Sequence, residues 1–127
     1  MGKVDGNGQQ TSFKQPQGIY FDPSSKKLII ADNKFYSIRK MNQSGTLVDR
    51  SSISSKNQQK QINKILPKNN LKGYVSTIAG NGIQGTNNGQ GTFAQFYFPY
   101  CVTMDSIGNI YVGDYCAIRM INSTGLN

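Results

Sequence analysis

The chain has 127 residues, a formal charge of +8, and neither histidine nor tryptophan. That length suits one small domain. The lack of histidine removes the usual neutral-pH base and the commonest metal ligand, which argues against acid–base and metal-dependent enzymes. No apolar run approaches the ~20 residues a membrane helix needs.

The opening residues, MGKVDGNGQQ, lack the apolar core of a secretory leader. They leave the compartment unassigned, with a slight lean to the cytoplasm. Asp5-Gly6-Asn7-Gly8 then begins a pattern that returns later in the chain. It aligns with Asn88-Gly89-Gln90-Gly91, and in step with it Phe13 falls on Phe96, Pro16 on Pro99 and Asp22 on Asp105. After small differences in turn length, Asp32 matches Asp114 and Ile38-Arg39 matches Ile118-Arg119. The order of so many matches marks an internal repeat.

Within each copy, short runs rich in Ile, Val and Tyr are bounded by Asp, Asn, Ser and Gly: IYF, LIIA and YSIRKM, then VTM, IYVG and AIRMI. These read as antiparallel strands joined by tight connections. A further strand, VSTIAG at 75–80, leads into the Gly-rich loop GNGIQGTNNGQG. Four short strands per repeat with periodic Gly and aromatic signals give an all-β reading as propeller blades.

Residues 48–74 interrupt this plan. They are polar and carry Arg50, Lys56, Lys60, Lys64, Lys68 and Lys72, with Asp49 the one acid. The default reading is a disordered, solvated insertion at the turn before, or just inside, the outermost strand of the first unit, with a short helix between Lys56 and Leu66 as an alternative ended by Pro67. The cations could contact phosphate, but no aromatic precedes Tyr74 to stack on bases. The expected organisation is a first unit at 1–47, the insertion at 48–74, and at 75–127 a closing strand, a Gly-rich loop and three strands of a second unit.

The stretches VSTIAGNG, NGQGTFAQFYFP, MDSIGNIYVGD and IRMI resemble the NHL repeat of six-bladed β-propellers. The first copy keeps DGNG, Phe13, PQG, Asp22, IIAD and SIRK. The second departs with Cys101 where Gly is usual and Asn88 where Asp is usual, which weighs against a shared polar contact there. The resemblance implies a module that binds a protein partner, with an RNA-binding surface as the alternative. A propeller lyase or hydrolase, with its site in further blades, ranks third. It also implies about two blades of a larger ring, and hence either a piece of a longer protein or self-association through unpaired blade edges. No cofactor is implied.

Because Asp22, Asp32, Asp105 and Asp114 recur at matching strand ends, they are expected to hold backbone donors at turns rather than act as catalytic pairs. Arg39 and Arg119 are expected to bond nearby carbonyls or Asp side chains. Gly80, Gly89, Gly91 and Pro99 are repeat positions, and the Gly-rich loops lack the features of calcium or phosphate loops. Cys101 and Cys116 are expected to be buried free thiols, because a hairpin centred on Ile107 opposes Cys101 to Gly113. Asn42 and Asn122 head N-glycosylation sequons at what read as equivalent turns.

Overall fold

The computed structural model describes residues 4–7, 10–44 and 72–123. Arg50, Lys56, Lys60, Lys64, Lys68 and the helix considered for 56–66 lie outside them. The described chain is mostly β. Its elements are β1 (Gly6–Asn7), β2 (Pro16–Asp22), β3 (Lys27–Asp32), β4 (Ser37–Ser44), β5 (Lys72–Ala79), β6 (Pro99–Met104), β7 (Ile110–Asp114) and β8 (Ala117–Ile121). Two antiparallel sheets result, one of order β1-β5-β4-β3-β2 and one of order β6-β7-β8. Among these residues no helix is long and apolar enough to cross a membrane.

The two copies fold alike down to their irregularities. Pro16 opposes Asp32 and Pro99 opposes Asp114, and each ladder then shifts register, between Pro16 and Gly18 and between Pro99 and Cys101. Each second hairpin turns on a tyrosine in the left-handed region, Tyr36 at φ 48° and Tyr115 at φ 42°. Between the first two strands, Gly108 takes φ 91° and Lys26 takes φ 53°.

The copies differ where β5 is concerned. β5 begins at Lys72, with Ser44 opposite Lys72 and Asn42 opposite Tyr74. Residues 72–74 therefore belong to the sheet and not to the insertion read as 48–74, because each finds a ladder partner on β4. The same pairing carries β4 through Asn42, whereas β8 stops at Ile121. Asn42 thus sits within a strand, half-buried, and not at a turn, and its Oδ1 is buried without a partner. Asn122 directly follows β8.

Strand alternation gives each sheet two distinct faces. Ile29, Ala31 and Ile38 share one face of the first sheet and pack with Ile110, Val112 and Ile121 of the second. Val102 and Met104 lie against this core. The opposite face of the first sheet carries their repeat equivalents, Ile19 and Phe21, which are 63% and 48% exposed. The outer face of the second sheet leaves Ile118 and Met120 exposed.

The sheets come closest where β2 meets β6. A Cβ placed on Gly18 would lie 2.6 Å from Cys101 Cα and 2.7 Å from the Tyr100 carbonyl oxygen. Both are backbone atoms, so neither can turn aside. Near this approach an aromatic cluster bridges the sheets. Tyr97 lies 4.8 Å from Tyr115 and 5.0 Å from Phe98, and Phe98 lies 6.3 Å from Tyr36 of the first sheet.

Gly18→Ala should therefore force β2 and β6 apart and destabilise the protein by about 1–3 kcal/mol, the usual cost of overpacking. Chemical denaturation of the two proteins side by side checks this. An unchanged midpoint would mean that the sheets sit farther apart than described.

Candidate functional site

A buried guanidinium must find acceptors for five N–H donors, because it keeps its charge at any working pH. Arg39 is wholly buried. Its Nη2 donates to the Val4 carbonyl at 2.6 Å and to Asp5 Oδ1 at 2.8 Å, and its Nη1 donates to the Ser12 carbonyl. Asp32 lies 3.7 Å away, and the Phe13 ring covers the group at 4.7 Å. The Arg39 Nε remains without a partner.

Arg119 repeats this set one copy later. Its Nη2 donates to the Asn87 carbonyl at 3.2 Å and to Asn88 Oδ1 at 2.8 Å, and its Nη1 donates to the Gln95 carbonyl. Asp114 stands at 3.5 Å and the Phe96 ring at 4.9 Å. Asn88 thus keeps the contact to arginine that its departure from Asp had argued against. An amide oxygen accepts from a guanidinium as a carboxylate does, without the charge.

The aspartates divide into two kinds. Asp32 accepts the backbone N–H groups of Lys14 and Gln15, and Asp114 those of Tyr97 and Phe98, at distances from 2.7 to 3.3 Å. Asp22 and Asp105 serve the turns. Asp22 accepts from Ser24 N–H at 3.0 Å and from the hydroxyls of Ser24 and Ser25. Asp105 accepts from the Ile107 and Asn109 backbone, the Asn109 amide and the Tyr111 hydroxyl. The Ser24 hydroxyl holds the Asp22 carboxyl below the usual carboxylate range, with Ser25 assisting. At Asp105 burial pushes upward, but the bonds from Asn109, Tyr111 and Ile107 outweigh it and leave the carboxyl low.

Among the described residues no group of His, Cys, Asp or Glu could hold a metal ion. Cys101 and Cys116 are free and exposed, not buried. Cys101 does oppose Gly113, as the hairpin arithmetic required. Cys101 alternates along β6 with Val102, which packs on the core, and so takes the other face of the strand, while Cys116 sits in the turn between β7 and β8. Gly80 directly follows β5 at φ 97°, where any Cβ would overlap the Tyr36 carbonyl. Gly89 packs against the Phe93 backbone, Gly91 opens the short 3-10 turn Gly91–Phe93, and Pro99 begins β6.

Among the described residues, two concave regions adjoin these repeat positions. One, of about 830 Å³, lies between the sheets and is lined by Asp22, Lys27, Lys40 and Asp105 with Tyr20 and Ile107. Its carboxylates are already spent on the turns beneath them. The other, of about 530 Å³, lies beside β8 and is lined by Asn88, Gly89, Phe96, Ile118, Arg119 and Met120.

One residue with a central role was not singled out as a site residue in the sequence. Asp5 not only accepts from Arg39; its Oδ2 accepts Thr77 N–H at 2.8 Å and its Oδ1 the Thr77 hydroxyl at 2.9 Å. The signal was present as the Asp-Gly-x-Gly stretch, but its partner lies across the whole unit. Burial pushes the Asp5 carboxyl up, and the bonds from Thr77 and Arg39 together bring it below its ordinary value of 3.8.

A carboxyl lowered by folding stabilises the native state above the unfolded-state pKa and loses that contribution as pH falls from there through the lower folded-state pKa. Asp5, Asp22 and Asp105 all act in this sense. Thermal stability should therefore hold down to about pH 5 and fall as the medium is brought below the ordinary carboxylate pKa of about 4. Asp5→Asn should cost about 1 kcal/mol at pH 7, the lost acceptor being partly exposed and screened, and should flatten part of the acid limb. Melting curves of both proteins from pH 3 to 7 decide this; an unaltered acid limb would remove Asp5 from the account. Arg39→Lys should be the costlier arginine change, at about 3 kcal/mol, because the side chain is wholly buried and one ammonium cannot serve the two carbonyls and two carboxylates that the fork reaches. Arg119→Lys, whose side chain is 13% exposed, should cost less.

No family model matches this chain, and no curated protein does.

Proposed function

We propose that the chain forms two consecutive units of an NHL-type β-propeller and works as a protein-interaction module. Several features support the propeller reading: the four-stranded meander β2 to β5, the three-stranded meander β6 to β8, and the same arginine clamp in each. Repeat units of this kind bury one another's faces.

The observation that carries the binding role is the contrast between equivalent positions. Val102 and Met104 pack into the core between the sheets, whereas Ile19 and Phe21 stand exposed on the outward face of the first sheet. An apolar face built like a packed one, yet open, suits a partner surface. The carboxylates named above hold backbone and turns, so the described residues offer surface rather than a reacting centre.

A photo-reactive amino acid at position 19 should crosslink the chain to a discrete protein, identified by mass spectrometry, and Phe21→Asp should abolish the adduct. The same probe at Ser24, on the turn, serves as the comparison. Equal labelling from both positions, or an adduct to RNA alone, would overturn the proposal.

A further inference from the structure

β5 is not the edge of its sheet. It runs between β4 on one side and β1 on the other, with Gly6 opposite Val75 and Asn7 opposite Tyr74. The repeat carries Gly6-Asn7 onto Gly89-Gln90 and β4 onto β8. The 530 Å³ slot lies between these two equivalents, with Asn88 and Gly89 in one wall and Ile118 to Ile121 in the other. Ala94 and Phe96 also line it. Among the described residues no strand pairs with the outer edge of β8.

We propose that this slot binds an extended segment of a partner protein, added as a strand to β8, with an apolar–x–acidic–x–small pattern. The proposal rests on the interaction-module reading and gives it a site and a ligand chemistry. Strand addition supplies affinity through backbone hydrogen bonds and specificity through alternate side chains.

The pattern follows from what β5 does in the first sheet. Val75 lies opposite Met41, Thr77 opposite Arg39 and Ala79 opposite Ile38. Val75 and Ala79 are almost fully buried. Transferred by the repeat, these three positions face Ile121, Arg119 and Ile118. The outer two therefore call for an apolar and a small side chain.

The middle position differs, because the clamps differ in charge. Arg39 has Asp5 at 2.8 Å and Asp32 at 3.7 Å, whereas Arg119 has Asp114 at 3.5 Å and the uncharged Asn88. A guanidinium has no acceptor, so Asn88 must turn Oδ1 towards Arg119 and keep its NH2 as a donor. Where Asp5 accepts from Thr77, Asn88 thus presents N–H groups, and the clamp is one negative charge short. A carboxylate on the incoming segment meets both needs. The same carboxylate would meet Asp5 in the first sheet and be repelled there, so the substitution separates the two sites.

The test uses the full chain and two synthetic peptides, GYVSTIAG, which repeats residues 73–80, and its Thr77→Asp form. Fluorescence anisotropy should show saturable 1:1 binding, with the Asp peptide tighter by about tenfold, the effect of one charge-assisted hydrogen bond. A Ser76→Pro version of the Asp peptide should not bind, since proline cannot donate to a ladder. The near-isosteric Asn88→Asp protein should reverse the order and favour the Thr peptide. Arg119→Met should weaken the Asp peptide most, with circular dichroism reporting its fold. Failure of both peptides to bind, or an order unchanged by Asn88→Asp, overturns the proposal. So does a chain that light scattering shows to be a dimer refusing both peptides, since a second copy then fills the slot. Crosslinking from position 19 that persists while the peptides fail removes the slot alone; peptide binding without that crosslink removes the Ile19 face instead.

Discussion

Arginine can neither shed its charge in a protein interior nor accept a hydrogen bond, so burying one obliges the surrounding chain to supply oxygens in a fixed fork. Arg39 draws them from a segment far away in sequence: the carbonyls of Val4 and Ser12 and the carboxylate of Asp5. That requirement fixes how the Gly-rich stretch crosses β4. It brings Asp5 to Thr77, and β1 then lies along β5. Asp32 completes the arrangement by holding the backbone of Lys14 and Gln15, which leads into β2. One charged side chain, held by two backbone carbonyls and two carboxylates, thereby ties both edges of the sheet to its middle.

The second copy shows what survives when this arrangement is altered. Replacing the carboxylate by the Asn88 amide preserves the fork to Arg119 but gives up the acceptors that Asp5 offers to Thr77. Among the described residues, the clamp holds its loop with no fourth strand paired to β8. The shorter β8 agrees with this: strands extend as far as they find partners, and β4 outruns β8 by the residues that meet the start of β5.

Much of this architecture was legible in the sequence, because repetition is a pattern that needs no coordinates. The matched Asp32 and Asp114, the matched arginines, and the opposition of Cys101 to Gly113 all follow from counting along the chain. Contacts that join distant segments were not legible. Nothing near Asp5 announces Thr77, and nothing in the polar composition of Lys72-Gly73-Tyr74 announces that they extend β5. The cysteines misled for a related reason. Their residue type favours interiors, but their exposure depends on where the chain places them, Cys101 on β6 and Cys116 in a turn, a property of the fold and not of the residue. Asn42 likewise reads as a turn residue until a neighbouring strand carries the ladder past it.

The aromatic cluster at the junction of the sheets has an experimental consequence. With no tryptophan in the chain, tyrosine dominates its near-ultraviolet spectrum. Tyr97 and Tyr115 lie close enough for their transitions to couple, and Phe98 links them to Tyr36 on the other sheet. The circular dichroism of this group should therefore depend on the docking of one sheet against the other, while the far-ultraviolet signal follows the strands themselves. Divergence of the two during unfolding would resolve separation of the sheets from their melting, without any added label.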